Sequence, residues 1–70
     1  MKNNRIPRNF KGMFIETLTN TNAGKKGDTF YISKNDYGEY IGINERTKES
    51  FLFFVAHLRN ANFTKVLRYC

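Results

Sequence analysis

Cysteine, proline and histidine each occur once in this chain, and tryptophan not at all. With Cys70 alone, neither an internal disulfide nor a cysteine-built zinc site can form, which fits a reducing, cytoplasmic setting. With His57 alone, in the sequence Ala56-His57-Leu58, no neighbouring carboxylate or nucleophile makes an acid–base pair. A half-buried structural histidine is the expected role. No spacing of ligands suggests a metal, and no cofactor is expected. Long hydrophobic runs are missing too. The longest, Phe51 to Ala56, is six residues, far short of the 18 or more of a membrane span. Nor does an apolar stretch follow "MKNNRIPRNF", so neither a secretory leader nor membrane association is expected.

Acidic residues are scarce: six, against twelve Lys and Arg, for a net charge of +6. The excess sits at the chain ends. Residues 1–11 hold Lys2, Arg5, Arg8 and Lys11 without an acid, and residues 57–70 hold Arg59, Lys65 and Arg68 without one. The middle, 12–56, has five bases and six acids. Such a distribution suits a polyanion or an acidic protein surface, or serves solubility alone.

Aromatic side chains are abundant, with seven Phe and four Tyr among 70 residues. Each can bury about 150–250 Å², enough for one small core without metal or disulfide. Residues 1–11 read as a flexible basic arm, and 12–70 as a single small domain. "MFIETLT" from Met13 reads as a strand, and the Asn- and Gly-rich "NTNAGKKG" as a loop. "DTFYISK" and "EYIGIN", joined by the turn "NDYG", predict a β-hairpin over 28–44. Phe30 and Ile32 share one face of its first strand, with Tyr31 opposite. Ile41 and Ile43 are assigned to the core face of the second, with Tyr40 opposite, and Gly42 marks a bulge or close backbone approach. "FLFFVAHLRNANFTKVLRY" predicts a strand over 51–57, a helical turn near 58–62 and a last strand over 63–68. The competing reading is a helix over 50–60, because Phe51, Phe54, Val55 and Leu58 follow helical spacing.

"KGDTFYI", "GEYIGI" and "HLRNANFTKVL", in that order, resemble strands and the short helical turn of SH3-like small barrels. The resemblance spans about residues 12–68. It implies a mainly β fold, a five-stranded SH3-like barrel with a helical turn before the last strand. The alternative is an α+β fold with a helix over 50–60. The "ALYDY" stretch, the tryptophan and the "PxxY" of peptide-binding SH3 domains are absent, and Pro7 is the sole proline, so proline-rich ligands are not implied. In size and in its basic, Asn- and aromatic-rich composition the chain also looks like small accessory proteins of tailed bacteriophages. That likeness implies residence in a host cytoplasm.

Gly24-Lys25-Lys26-Gly27 prompts the question of a phosphate cradle. It lacks the spacing G-x-x-x-x-G-K-[ST] and leads into a strand rather than a helix, so a solvated bend is expected. The remaining pattern is basic plus aromatic, and an enzyme is not expected. The first functional expectation is a non-enzymatic module binding DNA or RNA with low sequence specificity. Lys2, Arg5, Arg8, Lys11, Lys25, Lys26, Lys34, Arg46, Arg59 and Arg68 are its candidate phosphate contacts, with Tyr31 and Tyr40 stacking bases from one exposed face. The second is an adaptor or inhibitor docking on a host protein, such as a nucleic-acid-handling enzyme, with Leu52 and Phe54 as interface candidates. Exposure of those two side chains would favour a protein interface or a homodimer over a monomer. A structural subunit of a larger assembly is the third.

Overall fold

A computed structural model describes residues 4–7 and 9–70. Five strands and one short helix follow in the order β1 (Met13–Thr17), β2 (Thr29–Lys34), β3 (Tyr40–Asn44), β4 (Ser50–Phe53), α1 (Val55–Arg59) and β5 (Thr64–Tyr69). The fold is mainly β, as the sequence predicts. All strands pair antiparallel in one sheet of order β4-β3-β2-β1-β5. Three consecutive hairpins build the meander β1 to β4, and the chain then crosses through α1 to lay β5 beside β1. The sheet is open, with β4 and β5 as its two edges.

Alternation decides what each strand buries. Met13, Ile15 and Thr17 of β1 point inward, as do Phe30 and Ile32 of β2. Met13, Ile15, Phe30 and Ile32, with Leu58 from α1, form the buried hydrophobic core. Ile6, Phe10, Ala23, Tyr40, Phe51, Phe53 and Val66 pack around it. The β2–β3 turn forms where the sequence places it. Asn35 Oδ1 accepts hydrogen bonds from the Tyr37 and Glu39 N–H groups, both at 2.9 Å, and Gly38 takes φ of 81°.

Two assignments need correction. The strand expected over 51–57 ends at Phe53, and the helical segment expected near 58–62 occupies Val55–Arg59. The reason is volume: Phe51 and Phe53 already fill the inner face of β4, and the chain must turn at Phe54 to bring Leu58 over the core. The competing helix over 50–60 therefore forms only in its second half, leaving Phe54 and Val55 outside.

The second correction concerns β3. Its inward positions are Tyr40, Gly42 and Asn44, not Ile41 and Ile43. Gly42 and Asn44 are buried, whereas Ile43 is exposed. A close approach underlies this: a Cβ at Gly42 would run into the Phe53 ring and lie 2.8 Å from Ile32 Cδ1. Phe53 takes the space that the missing side chain leaves, with its ring 5.2 Å from that of Phe30. The bulge in this sheet lies elsewhere. Pairing between β1 and β5 shifts between Phe14 and Ile15, so that Phe14 faces Arg68 and Ile15 faces Val66.

Candidate nucleic-acid interface

The described parts of both electropositive chain ends lie on one side of the molecule, and hydrogen bonds hold them there. The Asn4 N–H donates to the Arg59 carbonyl at 2.7 Å. Its side-chain Nδ2 donates to the carbonyls of Leu58 at 2.9 Å and Thr64 at 2.8 Å. Tyr69 Oη donates to the Arg5 carbonyl, and the Cys70 N–H to the Gly12 carbonyl at 2.9 Å. With Ile6 and Phe10 packed against the core, the described part of the expected flexible arm is docked along β5 and α1. Arg5, Lys11, Arg59, Lys65 and Arg68 are all exposed there. Lys2 and Arg8 lie outside the described residues.

A second feature adjoins this side. On the outer face of the sheet, Arg68, Phe14, Tyr31 and Ile43 occupy successive strands β5, β1, β2 and β3 in one cross-strand row. The Arg68 guanidinium carbon stands 4.4 Å from the Phe14 ring centroid, a cation–π geometry. The Phe14 and Tyr31 rings are 5.1 Å apart and tilted by 54°. Gly12 leaves room for the Tyr31 phenol, since a Cβ there would collide with it.

Tyr31 and Tyr40 do not share a face. Tyr31 pairs with Ile43, whereas Tyr40 pairs with Lys34, three positions along β2 from Tyr31 and hence on the opposite side. Tyr40 turns inward, edge-on to Phe10 at 5.5 Å, with the Lys34 ammonium 5.5 Å from its ring centroid. Phe14 takes the place beside Tyr31 that the sequence reading gave to Tyr40. It was findable in the sequence: once Met13 and Ile15 are assigned inward, Phe14 must point outward.

Arg46 is committed elsewhere. Its Nε and Nη2 donate to Asp28 Oδ1 and Oδ2 at 3.0 and 2.8 Å, a bidentate pair. Asp28 also accepts from Asn44 Nδ2 at 3.0 Å and the Lys25 N–H at 2.9 Å. These donors, Arg46 foremost and then Asn44 and Lys25, hold the Asp28 carboxyl well below the usual carboxylate range. The Arg46 guanidinium is correspondingly raised by Asp28.

The Gly24–Gly27 bend is a tied turn. Gly24 N–H bonds to Thr21, Lys25 N–H to Asp28, Lys26 N–H to Asn20 Oδ1 and Gly27 N–H to the Thr17 carbonyl. The backbone donors that a phosphate cradle requires are all spent on the loop itself. What the bend offers outward is the exposed Lys25 and Lys26 side chains.

His57 stacks on Phe63 at 5.3 Å and meets Phe53 edge-on at 6.1 Å. It is half-buried among aromatics, consistent with packing. Among the described residues, no group of three or more His, Cys, Asp or Glu side chains is arranged to hold a metal, and no helix is long and apolar enough to cross a membrane. No protein family, no curated protein and no solved structure matches this chain.

Proposed function

We propose that this protein is a non-enzymatic nucleic-acid-binding module of low sequence specificity, built on an SH3-like arrangement of strands. The observation that carries the reading is the gathering of the described cations of both chain ends, Arg5, Lys11, Arg59, Lys65 and Arg68, beside the Phe14–Tyr31 pair. Cations flanking stacked rings suit a single strand, whose phosphates meet Lys and Arg while bases stack on aromatic faces. Arg5, Lys11, Arg59, Lys65 and Arg68 are the phosphate contacts in this reading, and Phe14 and Tyr31 the stacking pair. Lys25 and Lys26 add long-range attraction. Arg46 drops out, since Asp28 neutralises it, and Tyr40 drops out by its position.

The test is fluorescence anisotropy with labelled single-stranded DNA, duplex DNA and RNA of about eight nucleotides or base pairs, within the range that one small β domain covers. The salt concentrations are about 50 and 200 mM. Binding that weakens steeply with salt and falls about tenfold in Tyr31→Ala or Arg68→Ala supports the reading. Phe54→Ser, at the far edge of the sheet, leaves it unchanged. Flat traces at the lower salt overturn it.

One observation favours the second reading, an adaptor that docks on a partner protein. Leu52 and Phe54 are 51% and 72% exposed, the condition the sequence set for a protein interface.

A further inference from the structure

We propose that the β4 edge is a self-association surface, at which two copies of this chain pair antiparallel and continue the sheet across a two-fold axis. The proposal stands apart from nucleic-acid binding, which the opposite side of the molecule would perform.

The two edges of the sheet are built differently. β5 carries Lys65 and Arg68, bulges opposite Phe14 and Ile15, and has the N-terminal segment docked along it. Charges, bulges and covering segments are the usual guards against edge-to-edge pairing. β4 lacks the first two: Ser50-Phe51-Leu52-Phe53 contains no charge and no proline, and it pairs with β3 without a register shift. The Asn44 N–H donates to the Glu49 carbonyl at 2.9 Å. By the alternation of antiparallel pairs, Phe51 and Phe53 then bond to β3, while Ser50 and Leu52 direct their backbone groups away from it. Leu52, Phe54 and Val55 form an exposed apolar group on and just past this edge.

Charge selects the occupant. Residues 34–59, which contain β3, β4 and α1, hold four bases and four acids, so the entire +6 excess lies in the rest of the chain. Two copies meeting at β5 would oppose like charges, whereas two meeting at β4 bring together neutral halves. A head-to-tail contact of β4 with β5 is blocked by the bulge and the docked segment. What remains is the isologous pair, β4 on β4, which closes as a dimer. A four-residue edge with its flanking apolar side chains lies at the small end of stable interfaces, so the association is weak and reversible.

Sedimentation equilibrium from about 10 μM to 1 mM, the range proper to a small interface, reads it directly. The expected result is a twofold rise in mass that stops at the dimer and is lost in Leu52→Lys and in Phe54→Ser. Amide exchange of the wild type gives a readout independent of any variant: the Ser50 and Leu52 N–H groups become protected as concentration rises. A single species of 8.2 kDa throughout overturns the proposal. So does growth beyond two copies, or a dimer that survives both substitutions with those amides unprotected. In the monomeric outcome, a different protein becomes the candidate for the edge.

Discussion

The Asn44 carboxamide is fully buried and ties three segments together, donating to the Asp28 carboxylate at 3.0 Å and to the Ala23 carbonyl at 3.2 Å. Its Oδ1 accepts from the N–H groups of Arg46 at 2.8 Å and Thr47 at 3.2 Å. The long β1–β2 loop and the β3–β4 turn are thus pinned to each other through one side chain. Asn44→Leu is expected to lower stability by about 2–3 kcal/mol, because it strands buried donors and acceptors without partners. Urea denaturation followed by circular dichroism measures it. A loss below about 0.5 kcal/mol, typical of a surface substitution, would show that the network does not hold the loop.

Asp28 makes stability depend on pH with a definite sign. Its folded pKa lies below its unfolded value of about 3.9. Its contribution is therefore fully present above about pH 4 and is lost as pH falls from there toward the folded value. Denaturation midpoints should drop below pH 4, and Asp28→Asn should flatten that drop while lowering the midpoint at neutral pH. Arg46→Met removes the largest cause of the shift and should also reduce the slope. An unchanged acid limb in both variants would refute the linkage.

At the Gly24–Gly27 bend the structure separates side chain from backbone. Lys25 and Lys26 use their N–H groups internally and expose their side chains. Lys25→Ala with Lys26→Ala should therefore leave stability within about 0.5 kcal/mol. Gly27 takes φ of 94° with open space around it, so Gly27→Ala should cost about 1 kcal/mol from backbone conformation alone. Thermal unfolding of the two variants side by side decides this. A double lysine variant less stable than Gly27→Ala would contradict it.

The next turn along the chain shows what the sequence makes legible. Hairpin β2–β3, with its Asn35–Gly38 turn, follows from alternation and turn chemistry, both local. So does Tyr31 on the outer face. Which face of β3 looks inward is not local: it depends on Phe53, eleven residues beyond Gly42, filling the room above that glycine. The fate of "FLFF" likewise depends on how much core volume Phe51 and Phe53 occupy before Leu58 arrives. For the candidate site, the charge of both chain ends was plain in the sequence. Their meeting along β5 rests on Asn4, a residue that nothing in the local pattern singles out.

Gly42 offers the sharpest test of the β3 assignment. If its inner face is the one holding Tyr40, Gly42 and Asn44, then adding volume at 42 must displace the Phe53 ring or Ile32. Overpacking of this kind costs about 1–3 kcal/mol, so Gly42→Val should destabilise by at least that much, despite the higher strand propensity of valine. Ile43, exposed on the outer face, should tolerate Ile43→Thr within about 0.5 kcal/mol. Hydrophobic alternation alone predicts the reverse order: a costly Ile43→Thr and a harmless or stabilising Gly42→Val. Two-state denaturation of both variants distinguishes the alternatives, and the reverse order would mean that β3 presents its isoleucines, not its glycine, to the core.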